Sequence, residues 1–134
     1  MNYPRILLGG VVSGVIWTIA SSLVTLLFGQ DFATAIPDNR LAAPSVGLVT
    51  FLVTVNLLEG IWAIWLYAAM RPRFGAGPKT ALTAGLAWWI ISSLVDVTWG
   101  SFGFVPDRAI IGPVAASLPA ILISSFVGAW LYKE

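Results

Sequence analysis

The chain has neither cysteine nor histidine, and only 10% of its residues are charged. The lack of cysteine excludes disulfides and thiolate nucleophiles. The lack of histidine excludes imidazole bases, most zinc and copper sites and ordinary haem ligation. The net charge of +1 is too small for the basic patch that nucleic-acid binding needs. We therefore expect no metal, no cofactor and no nucleic-acid partner, and an enzyme is the weakest function class.

Apolar residues dominate the composition. They make up 58% of the 134 residues, and the mean hydropathy is +0.90, whereas a soluble domain carries about 25% charged residues. Four apolar runs are each long enough to cross a hydrocarbon core about 30 Å thick; they cover residues 6–28, 46–70, 80–99 and 109–132. The composition predicts an all-α integral membrane protein, a four-helix bundle forming one transmembrane domain over residues 1–134.

The cations are distributed unevenly between the polar breaks that separate these runs. Short cytoplasmic loops carry an excess of Lys and Arg. If the N-terminus is cytoplasmic, Arg40 and Arg108 lie outside and the other five cations lie inside: Arg5, Arg71, Arg73, Lys79 and Lys133. The tryptophans and tyrosines near the ends of the second and fourth runs then form an aromatic belt at the inner interface. Both patterns predict cytoplasmic N- and C-termini.

The first and third runs share a sequence pattern. Residues 14–24 and 85–95 have seven identities in eleven aligned positions, and Trp65-Leu66-Tyr67 recurs as Trp130-Leu131-Tyr132. The pattern favours two parallel repeated hairpins, about 1–70 and 71–134, related by a pseudo-two-fold axis along the membrane normal. Chance similarity between apolar helices of biased composition is the alternative.

Small residues mark the faces on which these helices pack. Gly10, Gly14 and Trp17 lie on one helical stripe, and Gly85 and Trp88 lie on the corresponding stripe of the third run. Small residues allow helix backbones to approach closely in lipid. We expect the first and third runs to cross near Gly14 and Gly85. The two tryptophans serve either as bulky core packing or as the wall of a cavity for an apolar ligand, lipid or pigment.

Glu59 is an acid near the middle of the second run. A charge at that depth costs about 2.5 to 3.5 kcal/mol on insertion scales, so an intramembrane acid is by default a functional-site hypothesis. Asn56 lies three residues earlier on the same helical face and offers a local hydrogen bond. Three roles remain open for Glu59: structural hydrogen bonding, handling of ions or protons, and contact with a partner subunit or cofactor.

Asp96 is a second acid, near the end of the third run. It lies about one helical turn before Gly100, so we expect it at the membrane interface, with Ser92 four residues earlier as a hydrogen-bond partner. A catalytic pair of Glu59 and Asp96 is disfavoured, because the two acids differ in depth by about 9 Å of helix rise. In the fourth run, Pro119 is expected to free the carbonyl of Ala115.

Three segments together resemble a known group of proteins: the opening residues 2–14, the central stretch WLYAAMRPRFGAGPKTA and the closing GAWLYKE. The chain resembles a family of small, uncharacterised bacterial four-helix inner-membrane proteins. The resemblance implies a multi-pass protein of the bacterial inner membrane and transfers no catalytic residue. At the cytoplasmic surface, three cations of the central turn would contact anionic lipid head groups, at about 1 kcal/mol each; they are Arg71, Arg73 and Lys79.

These features favour a structural or accessory component of the inner membrane, packed against itself as a homo-oligomer or against a larger membrane complex. The alternative is a small proton- or cation-coupled transporter or channel that uses Glu59, because intramembrane carboxylates serve in proton relays.

Overall fold

A computed structural model describes residues 1–35, 45–103 and 105–132 of the chain. These residues form four α-helices and no strand: α1 (Tyr3–Ala35), α2 (Val46–Phe74), α3 (Pro78–Gly100) and α4 (Arg108–Leu131). All four helices are long and apolar enough to cross a membrane. The predicted all-α class is therefore confirmed, as is the presence of four helices capable of spanning a membrane.

Helices α1 and α2 extend beyond the apolar runs that predict them. The first run ends at Phe28, whereas α1 continues to Ala35 because no proline interrupts the backbone before Pro37. The second run ends at Met70, whereas α2 continues to Phe74. Arg40, in the predicted loop, and the C-terminal Lys133 and Glu134 lie outside the described residues.

Local side-chain and backbone chemistry sets the start of α2 and the return into α3. The Ser45 hydroxyl caps α2 by accepting a hydrogen bond from the Leu48 N–H at 3.1 Å. The turn after α2 uses φ angles of 82° at Gly75 and 135° at Gly77, which side chains other than glycine rarely adopt. Pro78 then begins α3 with a φ already suited to a helix. The result is a tight antiparallel hairpin.

Helix α1 packs along α2 and α4, and α3 packs along α4 and more sparsely along α2. Over the described residues, no Cα of α1 comes within 8 Å of α3. A Cβ on Gly14 would lie 2.6 Å from Leu57 Cα, and a Cβ on Gly85 would lie 2.9 Å from Ser125 Oγ. The expected crossing of the first and third helices at Gly14 and Gly85 is therefore wrong, because each glycine faces the next helix of its own hairpin.

One end of the bundle gathers three parts of the chain. The Asn2 N–H donates to the Tyr132 hydroxyl at 3.1 Å, and the Gly77 N–H donates to the Tyr67 hydroxyl at 3.3 Å. The two tyrosine rings meet edge to face with centroids 5.9 Å apart. The start of α1, the central turn and the end of α4 therefore lie together at this end of the bundle.

Candidate functional site

Glu59 lies on α2, partly buried, and reaches across to α1. Its Oε2 accepts a hydrogen bond from the Trp17 indole Nε1–H at 2.7 Å. This bond joins side chains 42 positions apart in sequence. The acid therefore links the two helices of the first hairpin near the middle of their apolar lengths.

Asn56 makes a separate link to α1. Its side-chain amide donates to Ser21 Oγ at 3.2 Å, and no hydrogen bond joins it to Glu59 within the described residues. The local bond that the spacing of Asn56 and Glu59 offers does not form, because both side chains project toward α1. There, Trp17 and Ser21 stand four residues apart and offer each of them its own partner.

Trp17 and Trp88 meet inside the bundle. Their rings contact edge to face, with centroids 5.6 Å apart and an interplanar angle of 74°, a geometry that aromatic pairs prefer. Trp88 is only 6% exposed and packs beside Ala63 and Ile121. Two side chains therefore bridge α1 and α3 at a point where the backbones of these helices stand apart.

A groove of about 740 Å³ runs beside Glu59 along α2, and residues of α3 and of the start of α1 form its other walls. Trp62 and Trp65 line it as a stacked pair with centroids 4.8 Å apart. Trp88 and Ser92 line it from α3. The groove opens onto the outer surface of the bundle, since Trp62 is 55% exposed, and Glu59 and Ser92 supply polar atoms to walls that are otherwise almost wholly apolar.

Asp96 lies apart from this groove. It is exposed on α3 and lines a separate cavity of about 330 Å³ with Trp99 and Pro113. The Ser92 hydroxyl donates to the Trp88 carbonyl at 3.1 Å. The expected Ser92–Asp96 bond is absent from the described residues, because this back-bond turns the Ser92 hydroxyl toward the preceding turn. The structure therefore does not bring Glu59 and Asp96 into one cavity.

The three cations of the central turn have different surroundings. Arg71 is partly buried, with its guanidinium carbon 5.0 Å from the Tyr132 ring centroid and 6.0 Å from that of Tyr67. Arg73 and Lys79 are exposed. Of the three predicted head-group contacts, Arg73 and Lys79 are therefore the two with exposed side chains.

No protein-family model, curated protein or solved structure matches the chain. The site is therefore interpreted from its own chemistry.

Sequence reasoning selected Glu59, Asn56, Trp17 and Trp88 but missed Trp62 as a wall of the groove. A usable signal was present, because Trp62 follows Glu59 by three residues and the two side chains share a helical face. Trp65 was assigned to an interfacial belt, and the structure stacks it on Trp62. The Trp17–Glu59 bond carries no sequence signal, since its two residues are 42 positions apart.

Proposed function

We propose that the protein binds an apolar molecule from the lipid phase in the groove beside Glu59. The observation that carries the proposal is a carboxyl group in the wall of an otherwise apolar groove that opens sideways from the bundle. Ligand sites are typically about 300–1,000 Å³ in volume, mostly apolar, with a few polar groups that fix orientation. The volume and the lining of this groove fit that description.

A second candidate function is the structural or accessory role expected from the sequence. The Trp17–Glu59 hydrogen bond at 2.7 Å favours it, because the bond gives the acid a partner inside the first hairpin. In this role the bundle packs against itself or against a larger membrane complex. Binding takes precedence because Glu59 also lines an open groove, which a purely structural acid does not require. Proton- or cation-coupled transport would use the same acid and would need a path to both membrane surfaces.

Photocrosslinking in cells tests the binding function. A photoreactive amino acid at Ile91 lies in the groove, and one at Ile123 on α4 lies outside it; the native side chains are 62% and 58% exposed. We expect mass spectrometry to find a discrete small-molecule adduct at position 91 and only bulk phospholipid at position 123. The same phospholipid adducts in equal yield at both positions would contradict the proposal.

We also propose that the bundle consists of two parallel repeated hairpins. Two pairs of repeat-equivalent residues support this: Trp17 contacts Trp88, and Tyr67 contacts Tyr132. Residues on a two-fold axis meet their own equivalents, so these contacts are expected of such an arrangement. Superposing residues 13–29 on 84–100 should also bring 60–67 onto 125–132. A poor overlay of the second helices would reduce the repeat to coincidence.

The repeat would explain why the groove forms on one side of the bundle. At the α1–α4 interface Gly9 and Gly128 face each other, and a Cβ on Gly128 would lie 2.6 Å from the Gly9 carbonyl oxygen. The repeat-equivalent positions at the α2–α3 interface are Thr80 and Ala63, both buried. Under the repeat, the side chains at these two positions would hold the second pair of helices further apart than the two glycines hold the first.

The bacterial inner membrane and cytoplasmic termini remain part of the proposal. The cations of the central turn support this orientation, because that turn lies at the same end of the bundle as Asn2 and Tyr132.

A further inference from the structure

The groove beside Glu59 contains an acid without a protein cation. Its lining residues include Glu59 and, within the described part of the chain, no lysine or arginine. An isolated carboxylate in apolar surroundings is costly unless it takes up a proton or a cation is paired with it. A positively charged ligand would supply the charge that the groove walls do not.

Indole rings form much of the remaining wall. Trp62 and Trp65, stacked at an interplanar angle of 22°, contribute two indole rings to the groove wall. Trp88 contributes a third indole from α3. Cations within about 6 Å of an indole face are attracted by the ring quadrupole, and aromatic cages of this kind recognise quaternary ammonium groups. Aromatic rings and a carboxyl group together suit a cation that carries apolar substituents.

We propose that the groove binds a lipophilic organic cation, an ammonium or phosphonium centre with apolar substituents. The charged centre lies beside the Glu59 carboxylate, and the substituents lie against Trp62, Trp65 and Leu58. Entry is lateral, through the exposed side of the groove. The inference rests on the proposed binding function and adds the class of ligand. A neutral acyl chain would fill the same volume and leave the carboxyl without a counter-charge.

Equilibrium dialysis of the full chain in nonionic detergent tests the inference with two radiolabelled probes of similar shape. Tetraphenylphosphonium is the cation, and tetraphenylsilane is its uncharged counterpart. Glu59→Gln removes the charge and keeps a side chain of nearly the same shape. Asp96→Asn removes the other intramembrane acid, which lies outside the groove, and serves as the matched control.

We expect Glu59→Gln to weaken tetraphenylphosphonium binding by about thirtyfold or more, with tetraphenylsilane binding unchanged. Asp96→Asn should weaken tetraphenylphosphonium binding far less than Glu59→Gln does and leave tetraphenylsilane binding unchanged, because Asp96 does not line the groove. If both probes bind the native chain and neither responds to Glu59→Gln, the cation inference fails while the apolar binding groove stands. If neither probe binds the native chain, both proposals fail.

A second variant pair keeps the test decisive if Glu59→Gln does not fold. Trp62 and Trp130 are both exposed, at 55% and 74%, and only Trp62 lines the groove. Trp62→Leu should weaken tetraphenylphosphonium binding by about two- to fivefold, and Trp130→Leu should leave it unchanged. Equal effects of the two substitutions would overturn the placement of the cation against Trp62.

Discussion

Glu59 combines two kinds of contact in one side chain. Its Oε2 accepts the Trp17 indole N–H, and the same side chain lines the groove. The first contact depends on a hydrogen-bond acceptor, whereas binding of a cation depends on a negative charge. Glutamine retains the acceptor and loses the charge. Substitutions at this position can therefore separate a structural role from a binding role.

Stability should depend on the acceptor at position 59 and not on its charge. Glu59→Gln keeps an oxygen for Trp17 Nε1, so we expect a thermal midpoint in detergent close to that of the native chain. Glu59→Leu leaves the indole N–H without its partner and should destabilise the protein by about 1–3 kcal/mol. Circular dichroism recorded during heating gives the thermal midpoint of each variant. Equal midpoints for the Leu and Gln variants would mean that the Trp17 bond contributes nothing.

The glycines of the first hairpin give a second prediction for single residues. A Cβ on Gly60 would lie 2.6 Å from Gly14 Cα, where the backbones of α1 and α2 touch. Gly60→Ala should therefore force these helices apart and destabilise the protein by about 1–3 kcal/mol. Gly47→Ala is the matched control on α2, because the nearest atom to its Cβ would be Ser45 Oγ at 3.8 Å.

Thermal midpoints of the two alanine variants, measured in the same detergent, test this prediction. We expect a clear loss for Gly60→Ala and none for Gly47→Ala, since alanine favours a helix over glycine. Equal midpoints for the two variants would indicate that the close approach of Gly60 to Gly14 does not restrict the side chain at position 60.

At the scale of the helix, a stripe of small residues identifies the face that packs and leaves open which helix it meets. Gly10 and Gly14 were predicted to lie on a packed face, and a Cβ on either would contact α2. The sequence suggested α3 as the partner, because α3 carries a similar stripe. The structure pairs each stripe with the following helix of the chain, so Gly14 faces α2 and Gly85 faces α4.

The link between α3 and α4 gives a prediction at this scale. The Trp89 indole N–H donates to the Val114 carbonyl at 3.0 Å. Pro119 was expected to free the Ala115 carbonyl. The carbonyl that accepts a hydrogen bond from α3 is that of Val114, one residue earlier. Trp89→Phe should destabilise the bundle by about 0.6 kcal/mol and by at most about 1.7 kcal/mol, the average and the maximum measured for hydrogen bonds between membrane helices.

Trp99→Phe is the matched control on the same helix, because Trp99 is 64% exposed and contacts the neighbouring Phe102 ring. Thermal unfolding in detergent compares the two variants. A loss at Trp99 as large as that at Trp89 would show that indole volume, and not the bond to Val114, stabilises α3 against α4.

At the scale of the whole molecule, the number and class of the helices could be predicted because run length and hydropathy alone decide whether a segment can cross a bilayer. The groove could not be predicted. It depends on the distance between α2 and α3, a property of the packed bundle that no single helix determines. Hydropathy contains no information about such distances. The depth of Glu59 in the second run was enough to mark it as a candidate site residue. The residues around it could be identified only from the fold.

Orientation in the membrane is a property of the whole molecule, and the absence of cysteine makes it directly measurable. Arg71, Arg73 and Lys79 flank the turn between α2 and α3, and clustered cations favour the cytoplasmic side. We therefore expect that turn to be cytoplasmic and the turn between α3 and α4 to be external. Ala76→Cys and Ser101→Cys place single thiols in these two turns, at exposed positions.

A membrane-impermeant maleimide applied to intact spheroplasts should label the thiol at position 101 and spare the thiol at position 76 until the membrane is permeabilised. The unsubstituted chain is the control for background, since it has no thiol. Because Asn2, Gly77 and Tyr132 lie at one end of the bundle, labelling at position 76 also reports the side of both termini. Labelling of position 76 in intact spheroplasts would invert the orientation of all four helices. It would place Arg71, Arg73 and Lys79 outside, against the distribution that cytoplasmic loops require.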